Sequence, residues 1–243
     1  GEGKRLRPYT LDRPKCMVEI DGISLIDRQL SVLESEGLSD IVMIGGYKAE
    51  MLKGKNAKLK LNPRYYETNM VWTLFSAEEE LAGDIIVSYG DIVYSREILQ
   101  ELLKSTADIA VIVDKEWEEY WRSRDENLLD DAETLKLKAD GTISEIGQKP
   151  KSLNEIEGQY IGLMKFSAKG ISQIKKVFYT AVGNGELFGN PVEESYMTDL
   201  LQSAITSGIR VTSVPIYDKW IEIDTIRDLK SGVASKRLEK ITL

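Results

Sequence analysis

A chain of 243 residues, 42% hydrophobic and 30% charged, has the size and composition of one water-soluble α/β domain, or of a domain with a small appendage. Its net charge of −8 argues against a nucleic-acid surface, and its single cysteine, Cys16, excludes an internal disulfide or a cysteine zinc cluster. With no histidine in the chain, histidine triads, histidine bases and histidine metal sites are excluded, so any metal must be held mostly by oxygen, as magnesium or manganese is.

The first stretch, Gly1-Glu2-Gly3-Lys4-Arg5-Leu6-Arg7-Pro8-Tyr9-Thr10 and on to Pro14-Lys15, places two glycines beside a group of cations. Glycine lets the backbone bend and come close to a ligand, and the N–H groups exposed by such a turn, with Arg and Lys beside them, suit phosphate oxygens. Cys16 to Ile20 reads as a short strand, with Cys16 expected to pack rather than react, and Asp21-Gly22 as the turn after it. Residues 24 to 36 carry apolar groups at helical spacing and Gly37 caps them. Ile41 to Ile44 is a buried strand ending in the close-approach loop Gly45-Gly46-Tyr47, and a further helix begins over 48 to 53.

Leu59 to Leu61 reads as a strand and residues 69 to 81 as a helix with Glu78-Glu79-Glu80 on its solvated side. Asp84 to Asp91 is a strand that closes in Gly90-Asp91, and ligands of open α/β sheets sit beyond the carboxyl ends of strands. A helix over 97 to 104 and a buried strand over 109 to 113 follow. Beyond 114 the chain turns charged and aromatic, with Trp117, Tyr120 and Trp121. Residues 135–138 and 142–146 alternate around Asp140-Gly141 as a hairpin, Gln148-Lys149-Pro150 comes next, and 160 to 166 is a further strand. Helices are expected over 168–180 and 195–207, strands over 211–216 and 220–224, and a helix with a tail from 225 to 243. No apolar run approaches the length of about 18 residues needed to span a bilayer, and the residues given show no signal-peptide pattern, so a cytoplasmic protein is expected.

Asp91 and Asp224 each close an apolar strand, and two such carboxylates can hold one magnesium ion against a nucleotide phosphate. The string from Gly1 to Lys15 resembles the signature G-x-G-x-R-[LM]-x-P-x-[ST]-x-x-x-P-K of the nucleotidyltransferases that make activated sugars and alcohols. Gly90-Asp91 is similar to that superfamily's first metal aspartate, Trp220 to Asp224 to its second, and Gln148-Lys149-Pro150 to its E-K-P segment, with Gln148 in place of Glu. Sugar-1-phosphate enzymes of the superfamily carry a Q-P-x-G segment where this chain has Thr68-Asn69-Met70-Val71-Trp72-Thr73-Leu74. That stretch resembles bacterial phosphocholine cytidylyltransferases and relatives acting on aminoethylphosphonate or phosphorylated glutamine.

The resemblance implies a single nucleotidyltransferase domain over 1–243: a Rossmann-like three-layer α/β sandwich with a mostly parallel mixed sheet, of the glycosyltransferase-A-like type, with about 114–180 on the acceptor side. In that family an apolar strand precedes the glycine loop. Nothing precedes Gly1 here, so the natural start is expected to lie upstream. The implied reaction transfers CMP from CTP to a small phosphorylated, nitrogen-bearing acceptor, with Mg2+ or Mn2+ on Asp91 and Asp224. Gly1 and Gly3 would lend backbone donors to the triphosphate, Arg5 would neutralise its β and γ groups, and Lys15 its α-phosphate. Lys149 would hold the acceptor phosphate. Asn69 would read the cytosine edge, with Tyr47 and Gly90 shaping the pocket. The acceptor's other end would meet Trp72 and Trp121, with Trp117 and Tyr120, or acids such as Asp131 and Glu133. An enzyme making an NDP-sugar is the alternative. A glycosyltransferase lacks support because Asp91-Ile92-Val93 is not a D-x-D pair, and a non-catalytic regulatory subunit would not be expected to keep Arg5, Lys15, Asp91 and Asp224. A homo-oligomer stays open.

Overall fold

The structure, a computed structural model, describes residues 2–124, 128–230 and 232–241. After 3-10 turns at Lys4–Leu6 and Lys15–Met17, β1 (Glu19–Ile20) and β2 (Ile23–Ser24) make a small hairpin that runs into α1 (Leu25–Ser35). Ser24 caps that helix: its Oγ accepts from the Asp27 amide at 3.2 Å, which satisfies one of the free N–H groups of the first turn. The strand expected from Cys16 is therefore shorter and later than its apolar run suggests, because Lys15 to Met17 coils into the site.

β3 (Val42–Gly45) pairs in parallel with β4 (Lys58–Leu61), and a 3-10 turn at Ala49–Leu52 stands where a helix was expected. α2 (Met70–Phe75) is half the expected length. The chain then drops into a 3-10 turn at Glu78–Glu80, whose acids pair with Lys58 and Lys60 of β4. Next come β5 (Ile85–Ser88), β6 (Ile92–Tyr94), α3 (Arg96–Lys104), β7 (Ile109–Asp114), α4 (Trp117–Arg124) and α5 (Leu128–Asp131). β8 (Leu135–Leu137) and β9 (Ile143–Ile146) form the expected hairpin. They are followed by β10 (Gln159–Phe166), α6 (Ala168–Asn184), the hairpin β11 (Glu186–Leu187) and β12 (Asn190–Pro191), and α7 (Met197–Thr206). β13 (Thr212–Ile216), β14 (Trp220–Glu222), α8 (Ile226–Lys230) and α9 (Val233–Leu238) complete the described chain.

The main sheet has the order β13-β7-β10-β5. β13 and β7 are parallel, and β10 runs antiparallel to both β7 and β5, so three of the four strands share a direction. All six residues of β7 are buried. Ile109, Val111 and Val113 face a cluster built with Ile171, Ile174 and Phe178 of α6 and Leu200, Leu201 and Ala204 of α7. Ala110 and Ile112 face a second cluster with Ile98, Leu99 and Leu102 of α3 and with Trp117, Tyr120 and Trp121 of α4. Successive side chains of a strand point to opposite faces, so a run apolar at every position requires a layer on each side. That is the three-layer α/β architecture expected.

One further pair matters for the site. β14 runs antiparallel to β6, with Glu222 opposite Ile92. The register continues by one residue, since the Ile223 amide donates to the Asp91 carbonyl at 3.0 Å. Asp91, which precedes one strand, and Asp224, which follows the other, are thereby set at one end of the same ladder.

Candidate active site

The two aspartates converge on one lysine. Lys15 Nζ donates to Asp91 Oδ2 at 2.7 Å and to Asp224 Oδ1 at 2.5 Å, and Arg5 pairs with the other oxygen of Asp224. The side chains of Lys15, Asp91 and Asp224 are only 17%, 20% and 14% exposed, whereas Arg5 is 65% exposed and reaches in from solvent. Burial alone would lower the Lys15 pKa, but the charges of Asp91 and Asp224 outweigh it, so the ammonium is held more firmly than in water.

The carbonyls either side of Gly90-Asp91 are held by a residue that sequence reading missed. Gln29, buried on α1, donates from Nε2 to Tyr89 O at 2.7 Å and to Ile92 O at 2.5 Å. A polar residue in the middle of an amphipathic helix face was the available signal. On the other side, Asp228 Oδ2 accepts from the amides of Asp224 and Thr225 at 2.9 and 2.7 Å and from Thr225 Oγ1 at 3.0 Å. Asp228 pairs in turn with Arg124.

The first loop folds onto this centre. Gly3 has φ +59°, a left-handed conformation that favours glycine, and Thr10 Oγ1 donates to its carbonyl at 2.8 Å. A Cβ at Gly3 would lie 3.0 Å from Thr10 Cγ2, so the position is shaped against any side chain. Tyr47 joins the loop, its hydroxyl donating to the Leu11 carbonyl at 2.9 Å. Gly90 sits against Cys16, whose Cβ would be 3.5 Å from a Cβ at that position. Burial pushes the Cys16 thiol up to about 11, so it stays protonated and inert, in keeping with the packing role expected of it. Gly1 lies outside the described residues.

Other expected site residues are occupied elsewhere. Asn69 is the N-cap of α2: its Oδ1 accepts from the Met70 amide at 2.9 Å and its Nδ2 donates to Glu194 O at 3.2 Å. Lys149 Nζ donates to the carbonyls of Leu129 and Asp130 at the end of α5. Trp72 packs edge-on to Phe178, with the Arg64 guanidinium 4.8 Å from its ring. Trp121 is buried in a different cluster, with Trp117, Tyr120 and Trp220. The two tryptophans do not share a cage, and the cation over the Trp121 ring is the chain's own Arg124 at 5.4 Å.

Acidic groups gather on the side of β8 and α7. Burial, together with the nearby charges of Asp199, Asp131 and Glu222, pushes Glu133 up to about 7. Tyr89 and Tyr160 lie beside it, ring edge to ring face at 5.8 Å, and Tyr89 is influenced by both Glu133 and Asp91. Gly147 (φ +80°) lies directly against Thr198, a hydrogen-bonding partner of Glu133, with no room for a Cβ.

A divalent cation fits Asp91 and Asp224. Asp91 Oδ1 is buried without a hydrogen-bond partner among the described residues, and a cationic nitrogen already bridges the two carboxylates. No group of three or more metal-ligating side chains occurs among the described residues. Two carboxylates, with phosphate and water supplying the rest, is the usual mode for magnesium.

The profile of the family described as "MobA-like NTP transferase domain" matches residues 1–160. The chain is 40% identical, over 95% of its own length and 95% of the relative's, to the CTP:phosphoglutamine cytidylyltransferase of Campylobacter jejuni. Over 44% of its length, and 48% of the relative's, it is 33% identical to the choline-phosphate cytidylyltransferase of Streptococcus pneumoniae. Among solved structures, the CTP:phosphocholine cytidylyltransferase of Streptococcus pneumoniae superposes with a TM-score of 0.73 at 23% identity, covering 99% of this chain and 94% of that one. The inositol-1-phosphate CTP transferase of T. maritima gives 0.76 at 21% identity, covering 100% and 95%. At these identities the two structures establish the fold.

Proposed function

This chain belongs to the MobA-like NTP transferase family, and from that premise we propose that it transfers CMP from CTP to a small phosphorylated acceptor carrying nitrogen, with phosphorylated glutamine the foremost candidate. The observation that carries the reading is the meeting of Asp91, Asp224, Lys15 and Arg5 at the end of the β6–β14 ladder, beneath the glycine loop. The full-length similarity to a phosphoglutamine enzyme supports the acceptor. The whole chain acts as one nucleotidyltransferase unit, with residues from about 114 to 180 on the acceptor side, and a reaction drawing on CTP belongs in the cytoplasm.

An oxygen of the acceptor phosphate attacks the α-phosphorus of CTP. The new P–O bond forms as the bond from the α-phosphorus to the bridging oxygen breaks, and pyrophosphate leaves with that electron pair. The nucleophile is already an anion at neutral pH, so no general base is needed, and the chain has no histidine to serve as one. Gly3 and the turn after it present backbone donors to the triphosphate. Arg5 neutralises the β and γ groups, and Lys15 the charge that grows at the α-phosphate. Asp91 and Asp224 would hold magnesium, which when bound supplies positive charge to the reacting phosphates. Tyr47, Gly90 and Asn69 border the base. Lys149 meets the acceptor phosphate after leaving its carbonyl partners, and Glu133 faces the acceptor's ammonium group.

The test is pyrophosphate release from purified protein with each nucleoside triphosphate and a panel of acceptors. CTP with phosphorylated glutamine is expected to be fastest, ahead of phosphocholine and 2-aminoethylphosphonate. Faster turnover of glucose-1-phosphate with UTP or dTTP would overturn the assignment of substrate.

A further inference from the structure

The aromatic residues of α4 have a use in this fold other than a cage. Tyr120 places its hydroxyl on the open edge of β14: the Glu222 amide donates to it at 2.9 Å, and it donates to the Glu222 carbonyl at 3.1 Å. Among the described residues β14 pairs with β6 alone, and one phenol thus stands where a second neighbour strand would, satisfying both backbone groups of Glu222. Its ring is fixed by Trp121 and Trp220, with centroids at 5.7 and 5.3 Å, and Trp220 is itself tied to Asp114 by a 2.8 Å bond from Nε1 to Oδ2. One turn later Arg124, 8% exposed, donates to Glu222 Oε2 at 2.7 Å and to Asp228 Oδ1 at 3.1 Å. Asp228, 5% exposed, accepts from the Asp224 amide with its other oxygen.

These contacts enclose Asp224 from both sides in sequence. Two residues before it, Glu222 is gripped by backbone and side chain; four residues after it, Asp228 binds the Asp224 amide. Both grips lead to α4. We propose that Tyr120, Arg124 and Asp228 are positioning residues that set the Asp224 carboxylate against Asp91, so that the helix on the acceptor side fixes the geometry of the cation site. None of the three need touch substrate. The inference rests on the reading of Asp91 and Asp224 as the magnesium ligands. Partners that orient a metal ligand typically change metal affinity or activity by about 10- to 100-fold when removed.

Tyr120→Phe keeps the ring and its packing and removes only the hydroxyl, whereas Arg124→Lys and Asp228→Asn test the charged part of the clamp. Arg122→Ala is the control, since Arg122 lies on the same helix but pairs with Glu118 in solvent. In Tyr120→Phe the amides of 222–225 should exchange faster with deuterium. Binding of Mn2+ in the presence of CTP, followed by electron paramagnetic resonance, should weaken on the order of tenfold. The magnesium concentration for half-maximal rate should rise in step, with the acceptor KM unchanged. Arg124→Lys and Asp228→Asn should shift both readings in the same direction, and Arg122→Ala neither. Unchanged Mn2+ binding in a folded Tyr120→Phe, with at most a lower melting temperature, would overturn the positioning role. Wild-type protein that binds no Mn2+ with CTP would instead overturn the reading of the site on which it rests.

Discussion

Lys15, Asp91 and Asp224 are a mutually dependent group: the two carboxylates lie close enough to share an ammonium, and Lys15 offsets a repulsion that burial would enlarge. Replacing either acid should therefore affect chemistry far more than folding. Asp91→Asn or Asp224→Asn should lower kcat by roughly 100-fold or more, about 3 kcal/mol of lost charge stabilisation. Steady-state pyrophosphate release, with circular dichroism as the check on folding, decides it, and near-normal turnover removes that residue from the site. Glu133 is a second residue with a measurable signature. Its carboxyl is pushed up to about 7 by burial and by Asp199, Asp131 and Glu222, so it is neutral in mild acid and charged above neutrality. An ammonium-bearing acceptor needs the charged form, and kcat/KM for it should climb with pH and level off above about 7. The linkage for stability has the opposite sense. A raised carboxyl pKa favours the folded state while the group is protonated, and that contribution is lost as pH rises from the ordinary carboxylate range through about 7. Glu133→Gln should remove this limb of the profile and raise the acceptor KM about tenfold, as expected when a charged hydrogen bond is lost. A profile identical to wild type would assign the limb to the acceptor's own phosphate.

Elements place these residues, and α2 shows how an element can conceal a function. Asn69 caps a helix of only six residues and ties it to the turn at Val192–Glu194, so both ends of its amide are engaged locally. Asn69→Ala should cost about 1 kcal/mol through the cap alone. Asn69→Ser keeps a capping oxygen while removing the amide that could face a base. If Asn69 reads cytosine, both variants should lose preference for CTP over UTP by about tenfold, and only the alanine form should also lose melting temperature. Selectivity retained in Asn69→Ser would leave Asn69 with the cap alone. The β6–β14 ladder is the element that decides the site. It is three residues a side, and one added residue in either strand would turn its carboxylate away from the other.

For the whole molecule, an acidic protein that gathers Arg5 and Lys15 at one strand end concentrates its attraction for phosphate where its net charge of −8 would otherwise repel it. Chelation of divalent metal should abolish turnover without unfolding the protein, because Lys15 and Arg5 together balance the charge of the two carboxylates, and added magnesium should restore it. Loss of structure on chelation, seen by circular dichroism, would instead make the cation part of the fold. The alternation of strand and helix, the doubly covered strand at 109–114 and the hairpin at 135–146 were all legible in the chain, because period and turn chemistry are local properties. So was the first loop, whose chemistry lies in contiguous residues, and so was the exclusion of histidine chemistry. α2 read too long because Leu74, Ala77 and Leu81 are buried at helical spacing, although the chain leaves the helix between them to pair its acids with β4. Trp117, Tyr120 and Trp121 carry the same spacing whether they line a cage or pack a core, and only their neighbours distinguish the two. The sequence alone determined which chemical groups exist and which local structures carry them. Only the tertiary structure decided that Asp91 and Asp224 meet, that Gln29 and Asp228 hold them there, and that Tyr120 closes the edge of β14, because each of these depends on the register between segments that the chain keeps far apart.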